Sequence, residues 1–275
     1  MGSLLEELAR REQLVAQAAA DVDAFYDAQI PLPCTSSTVL ALSVDAKGIA
    51  MRKWLCGSVI TDPGAVIAKV FDHAEARDPA HARSWVVLVD GARHQLDLIA
   101  AEAARRDIGV HIVIDFVHVL EKLWAAAWCL HPPSAPAAED WVATTHALAL
   151  LAGHTDQVVT ALTAQATVLP ARRRDGLDAC VRYLTNNAER LRYDQALEAG
   201  WPIATGVIEG ACRHLIADRF DHAGARWGLP GAEAVLKLRA LTANGHLDEY
   251  WRYHLARQHD RVHQSCYKDG YALTA

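Results

Sequence analysis

The chain has 275 residues, of which 52% are hydrophobic and 22% charged, and its net charge is −6. This composition supports a buried core in one large or two small globular domains and excludes a low-complexity protein. Because the sequence has neither a charged-then-apolar leader nor an apolar run of about 20 residues, we expect a cytoplasmic protein rather than a secreted or membrane-spanning one. Six cysteines without a Cys-x-x-Cys pair indicate reduced thiols.

The amino-terminal part of the chain predicts a helix, then a strand. Apolar residues recur at helical spacing within residues 3–29, and a Pro-rich stretch then ends that helix. Residues 38–45 read as a buried strand that carries Asp45 at its end, followed by a turn into a hairpin. The next apolar pattern predicts a helix over residues 63–76.

The clearest structural signal lies between Trp85 and Trp128. Apolar runs at 85–89 and 110–115 flank a helix-length crossover at about 93–106, which predicts a βαβ unit with parallel strands. Asp90 and Asp115 would then lie at the same carboxyl edge of the sheet, where ligands gather in open α/β folds. The absence of a Gly-x-Gly-x-x-Gly turn disfavours a nucleotide cofactor.

The rest of the chain predicts helices. The pattern is almost wholly helical from Val117 to Ala199, and a turn beginning at Gly200 leads into a helix that bears Glu209. Two further helices are predicted at about 231–243 and 247–260. The fold class is therefore α/β with a large helical content.

Three carboxylates stand in three distinct settings. Asp45 and Asp90 end apolar strands, and Glu209 lies near the start of a helix. Hard divalent cations require several converging oxygens, so this set predicts a two-metal site for phosphodiester cleavage. Each residue also has a structural alternative: Asp90 as a turn former, Asp45 as a hairpin cap, and Glu209 as a helix-start residue or a partner of Arg213.

The charge is unevenly distributed. Residues 171–275 contain 15 basic and 13 acidic side chains, which leaves −8 for the first 170 residues. The late arginines predict a surface that tracks phosphates, although solvated helix faces are the alternative. Removing such contacts should flatten the salt dependence of DNA binding. The candidate DNA-binding residues are Arg172, Arg173, Arg174, Arg213, Arg219 and Arg226, with Trp227 as a base-stacking side chain.

Three stretches carry a resemblance to a known family. They are Asp115-Phe-Val-His-Val-Leu-Glu-Lys-Leu-Trp, Gly200-Trp-Pro-Ile-Ala-Thr-Gly-Val-Ile-Glu-Gly-Ala-Cys-Arg-His and Gly224-Ala-Arg-Trp-Gly-Leu-Pro-Gly-Ala-Glu. From about Thr38 to the Tyr267 region, the sequence resembles the DDE transposases of bacterial insertion sequences. The closest similarity is to the ISKra type, in the Mutator-related branch of the ribonuclease-H-like superfamily.

The resemblance implies a function and a set of site residues. Asp45, Asp90 and Glu209 would be the catalytic triad and would hold two Mg²⁺ or Mn²⁺ ions, with Asp115 and His118 as an accessory pair. The implied reaction is cleavage and strand transfer of double-stranded DNA, at transposon ends and target, by a homo-oligomer associated with the nucleoid. For Asp115 and His118 the alternative is structural, as a helix cap and a packed or hydrogen-bonded core histidine.

The resemblance also implies a ribonuclease-H-like mixed sheet with an all-helical insertion and C-terminal helices. The corresponding segments are 1–37 (helix and linker), 38–118 (first part of the core), 119–199 (insertion) and 200–275 (glutamate helix and C-terminal helices). The chain is shorter than family members at the amino terminus and between the first two aspartates, so we expect weak or absent strand transfer. A non-catalytic DNA-binding remnant and a metal-dependent phosphoesterase are the alternatives.

Overall fold

The computed structural model describes residues 2–29, 31, 33, 39–45, 48–51, 54–132, 135–204 and 228–264. These residues form a mixed α/β structure that is mostly helical, and none of their helices has the length and hydrophobicity needed to cross a bilayer. The strands are β1 (Val39–Asp45), β2 (Gly48–Met51), β3 (Trp54–Cys56), β4 (Ser84–Val89) and β5 (Val110–Ile114).

The helices, in chain order, are α1 (Gly2–Ala19), α2 (Val22–Ala28), α3 (Pro63–Arg77), α4 (Arg93–Arg106), α5 (Phe116–Leu130), α6 (Pro136–Asp140), α7 (Leu148–Leu151), α8 (Thr155–Val168), α9 (Asp175–Asn187), α10 (Tyr193–Glu198), α11 (Leu229–Ala243) and α12 (Leu247–His259). Two π-helical segments, Trp141–Ala147 and Asp260–Gln264, and two 3₁₀ turns, Ala171–Arg173 and Ala188–Arg190, complete the described structure.

The chain divides into two compact units. Unit 1 comprises Met1–Pro33, Lys47–Arg77 and Gly210–Ala275, and unit 2 comprises Cys34–Ala46 and Asp78–Glu209. The predicted first part of the core, residues 38–118, is shared between them. The division into four sequence segments follows predicted roles rather than compactness and stays a prediction.

Unit 2 contains a parallel sheet with strand order β1-β4-β5. Val44 pairs with Val89, and Val89 pairs with Ile114. The central strand is apolar from Trp85 to Val89, and Val86, Val87 and Leu88 have no exposed surface, as expected for a strand covered on both faces. The parallel βαβ unit predicted from the apolar runs is confirmed.

Helices α5 and α9 of unit 2 pack closely in antiparallel directions. Gly176, in the first turn of α9, lies so close to α5 that a Cβ there would overlap the carbonyl oxygen of Ala125. Further along, the ammonium of Lys122 lies 5.6 Å from the ring centre of Tyr183. Because the two helices are antiparallel, α9 begins beside the C-terminal half of α5 and runs back toward the carboxyl edge of the sheet.

Unit 1 contains α1, α2, α3, α11, α12 and the antiparallel hairpin β2–β3, whose core includes Phe25, Leu241 and Tyr250. The prediction of one uninterrupted helix over residues 3–29 is wrong, because the helix breaks between α1 and α2. Asp21, at the break, points inward and accepts hydrogen bonds from α12 and the segment after it. The hairpin is present but short, with strands of four and three residues.

Candidate active site

The carboxyl edge of the parallel sheet brings together backbone positions of three aspartates. Asp45 and Asp90 directly follow the paired residues Val44 and Val89. Asp115 follows Ile114, which pairs with Val89, and its backbone N–H donates to the carbonyl of Val89 at 2.8 Å. Since neighbouring strands in a sheet lie about 4.8 Å apart, the three residues form a short row at one edge.

The turn after β4 holds Asp90 in place. One carboxylate oxygen of Asp90 accepts a hydrogen bond from the backbone N–H of Ala92 at 2.8 Å. Gly91 between them has φ of +88°, a conformation that a side chain would strain. A Cβ at Gly91 would also lie 3.1 Å from the amide nitrogen of Asn187. Asp90 is therefore a turn former, as the structural alternative predicted, and it is also partly exposed at the edge.

Asp115 is 6% exposed and caps helix α5, because its carboxylate accepts from the backbone N–H of Val117 at 2.9 Å. This confirms the structural alternative for Asp115. The same alternative placed His118 in the core, and the structure does not place it there. Its side chain is 36% exposed, and its Nδ1 lies 3.2 Å from a carboxylate oxygen of Glu121. The accessory role of this pair stays a prediction.

Two tyrosines from the helical segment donate to backbone carbonyls at this same edge. The hydroxyl of Tyr183, on α9, donates to the carbonyl oxygen of Asp90 at 2.7 Å. The hydroxyl of Tyr193, on α10, donates to the carbonyl oxygen of Ile114 at 2.9 Å. Burial, with a smaller contribution from Asp90, raises the pKa of Tyr183, and burial likewise raises the pKa of Tyr193. Both hydroxyls therefore remain protonated donors at neutral pH.

The chain returns to the sheet edge just before the residues that lead to Glu209. The backbone N–H of Phe116 donates to the carbonyl of Ile203 at 2.8 Å. Trp201 packs on His111 of β5 with ring centres 4.2 Å apart. Glu209 itself lies outside the described residues, so its predicted convergence with Asp45 and Asp90 stays a prediction.

The predicted basic surface is described in part. Arg172 and Arg173 are exposed in a 3₁₀ turn, and Arg173 donates to the carbonyl of Cys129 at the end of α5. Arg174 forms an ion pair with Asp178 at 3.0 Å. The other candidate DNA-binding residues lie outside the described residues: Arg213, Arg219, Arg226 and Trp227.

The donor set at the edge suits a hard divalent cation, because aspartate carboxylates are the oxygen ligands such ions prefer. The described part of the chain has no group of three or more His, Cys, Asp or Glu side chains placed to hold a metal ion. Asp45 and Asp90 together supply only two carboxylates. The predicted site thus depends on Glu209 for its third ligand.

Unit 1 holds a different polar cluster around Asp21, whose side chain is 2% exposed. Asp21 lies 2.7 Å from Nδ1 of His254 and accepts from the guanidinium of Arg261. Burial alone would raise the pKa of Asp21, but the hydrogen bonds from Arg261 and His254 hold it below its usual value. This cluster joins the start of α2 to α12 and its extension.

A cavity of about 340 Å³ in unit 1 is lined by charged and aromatic side chains. Asp23 bridges Lys69 and Lys237 at 3.1 and 2.7 Å. On its wall, the rings of Trp54 and His73 stack with centres 4.0 Å apart. Burial, aided by the charge of nearby Arg77, lowers the pKa of His73 to about 4.

The sequence did not single out Tyr183, Tyr193 or Asn187 as site residues. The available signal was weak: Tyr183 and Asn187 are four residues apart and share one face of a helix beside its apolar stripe. Comparisons with protein-family models, curated proteins and solved structures gave no match to this chain. A function proposed for this chain therefore rests on its residues, their geometry and the sequence resemblance.

Proposed function

We propose that this protein is a metal-dependent enzyme of the DDE transposase type, which cleaves DNA strands and transfers them at the ends of an insertion sequence. The observation that carries the proposal is the register of the parallel sheet, in which Asp45 and Asp90 follow paired residues of adjacent strands. This is the arrangement that two aspartates need to share cations about 3.5–4 Å apart.

The order of elements also supports a ribonuclease-H-like core. A strand that ends in Asp45 is followed by a short antiparallel hairpin, a helix, and then the two parallel strands β4 and β5. The helices from α5 to α10 come between β5 and the segment that carries Glu209. This order of elements supports the ribonuclease-H-like core with a helical insertion that the family resemblance implies.

In this proposal Asp45, Asp90 and Glu209 hold the cations. When bound, Mg²⁺ or Mn²⁺ supplies the activation of the attacking hydroxyl and the stabilisation of the leaving oxygen. The backbone N–H of Ala92 orients the Asp90 carboxylate. Arg172 and Arg173 are exposed and available to neutralise phosphates of double-stranded DNA. The site works in a homo-oligomer on DNA in the bacterial nucleoid.

The first experiment measures Mn²⁺ binding to the purified full chain by calorimetry, together with nicking of supercoiled plasmid in Mg²⁺ or Mn²⁺. We expect D45N, D90N and E209Q each to weaken Mn²⁺ binding and abolish nicking. D97N is the matched control, because Asp97 is an aspartate of unit 2 whose ion pair with Arg93 is exposed to solvent. It should leave both measurements unchanged.

The outcomes separate the alternatives. DNA binding without metal-dependent nicking would instead favour a non-catalytic remnant. Turnover of a chromogenic phosphodiester with little salt-sensitive DNA affinity would favour a small-molecule phosphoesterase. Because the β2–β3 hairpin is short, we expect strand transfer to be weak relative to nicking.

A further inference from the structure

We propose that Tyr183 is a positioning residue for the metal site, which fixes the Asp90 carboxylate by holding the carbonyl oxygen of the same residue. This inference rests on the proposed function, because it assigns a role to Tyr183 in the binding of the divalent cation. Tyr183 lies on α9, more than 90 residues beyond Asp90 in sequence, and was not part of the predicted site.

The carbonyl of Asp90 lies just beyond the last paired residue of β4, so the strand ladder does not fix its direction. The 2.7 Å hydrogen bond from Tyr183 fixes the peptide plane between Asp90 and Gly91. On the other side of the turn, the N–H of Ala92 holds the carboxylate. The two hydrogen bonds thus hold the backbone carbonyl and the side-chain carboxylate of Asp90.

Two neighbouring side chains contact Tyr183. Asn187, one turn further along α9, donates to the backbone carbonyl of Tyr183 at 3.0 Å and lies against Gly91. The ammonium of Lys122 lies over the tyrosine ring at 5.6 Å from its centre. Asn187 thus connects the backbone of Tyr183 to the turn that carries Asp90, and Lys122 covers the face of the ring.

A neighbouring bond repeats the arrangement one strand away. Tyr193 donates to the carbonyl of Ile114, the residue before Asp115. Helices α9 and α10 therefore each supply one hydroxyl to the carboxyl edge. Partners that hydrogen-bond a metal-ligating side chain typically change metal affinity by 10- to 100-fold when they are removed, and we expect a bond to the backbone carbonyl of the ligand residue to act at the lower end of that range.

The test compares Y183F with Y250F. Tyr250 is fully buried whereas Tyr183 is partly buried, and the Tyr250 hydroxyl donates to the backbone carbonyl of Ala18 in unit 1. Each substitution removes one hydroxyl that donates to a backbone carbonyl. Mn²⁺ affinity of the full chain is measured by electron paramagnetic resonance at a temperature where both variants are folded, and thermal unfolding is recorded for each.

We expect both variants to unfold at a lower temperature, but only Y183F to bind Mn²⁺ about 10-fold more weakly. Plasmid nicking by Y183F should recover at high Mn²⁺ concentration, because ion binding rather than the chemical step is impaired. N187A is a second variant. It removes the side chain that lies against Gly91 and donates to the carbonyl of Tyr183 but leaves the tyrosine hydroxyl in place, and it should also weaken Mn²⁺ binding.

Two different results would overturn two different claims. If the unaltered protein binds no Mn²⁺, the proposed function fails. If it binds Mn²⁺, with D90N weakening the binding, while Y183F and N187A bind as tightly as Y250F, the proposed function survives and the positioning role of Tyr183 is overturned.

Discussion

One buried polar cluster in each compact unit is stabilised in a different way. In unit 1 the buried carboxylate of Asp21 accepts hydrogen bonds from His254 and Arg261. At the carboxyl edge of the sheet in unit 2, the hydroxyls of Tyr183 and Tyr193 donate to the backbone carbonyls of Asp90 and Ile114. Ser43 follows the same pattern, since its hydroxyl donates to the carbonyl of Leu88 at 2.9 Å.

This difference has a consequence for how each unit responds to its surroundings. Paired charges contribute stability that depends on protonation, and removing one partner leaves a buried charge uncompensated. A neutral hydroxyl with a raised pKa keeps its hydrogen bond throughout the physiological range. We therefore expect the Asp21 cluster of unit 1 to be more sensitive to pH than the two tyrosine hydrogen bonds at the carboxyl edge of unit 2.

The largest expected effect is the loss of the central charge in unit 1. D21N should lower the free energy of unfolding by about 4 kcal/mol, because it leaves His254 and Arg261 without their common carboxylate. Urea unfolding followed by circular dichroism measures the change. Hydrogen exchange should accelerate in α12 and less in β4.

The control for this substitution is D97N. Its ion pair with Arg93 is exposed, with side-chain exposures of 63% and 89%, and should contribute less than about 1 kcal/mol. Equal losses from D21N and D97N would contradict the distinction between buried and exposed pairs in this chain.

A smaller effect is expected from pH through His73. Its pKa of about 4 lies below the usual value near 6.5, so the unfolded chain binds a proton in this range that the folded chain does not. Stability should therefore fall as pH drops from 6.5 toward 4, by up to about 3 kcal/mol from this group. Urea unfolding at pH 7 and pH 4.5 measures it.

Comparing H73Q with H94Q isolates the contribution of His73. His94 is exposed on unit 2, so its substitution should leave the pH dependence of stability as it is. H73Q should show a shallower pH dependence than H94Q. Identical pH profiles for the two variants would mean that His73 does not contribute to the pH dependence of stability.

The smallest of the three effects concerns packing in unit 2. G176A should lower the free energy of unfolding by about 2 kcal/mol, because the new methyl group overlaps the carbonyl of Ala125 and forces α5 and α9 apart. Gly109 is the matched control, since a Cβ there has nothing within 4 Å. Thermal unfolding of both variants tests the prediction, and a neutral G176A would show that α9 can shift freely.

The sequence predicted the sheet of unit 2 well. The apolar runs and the crossover between them gave β4, α4 and β5 within one residue of their bounds, because parallel strands buried on both faces must be almost continuously apolar. It also predicted that Asp90 and Asp115 follow strands at one edge. These features depend on local patterns, which a sequence displays directly.

The supporting contacts could not be predicted in the same way. The bonds from Tyr183 to Asp90 and from Tyr193 to Ile114 join residues 93 and 79 positions apart, and no local pattern encodes such pairs. The break at Asp21 was missed for the same reason. The helical stripe continues through it, and only the distant partners His254 and Arg261 show why the chain turns there.

The hydrogen bond between Phe116 and Ile203 closes the helical segment onto itself. The chain therefore leaves the carboxyl edge of the sheet at Phe116 and returns to it at Ile203. Deleting the segment between them would remove the hydroxyls of Tyr183 and Tyr193 from that edge, so the sheet edge depends on the segment for two of its hydrogen bonds.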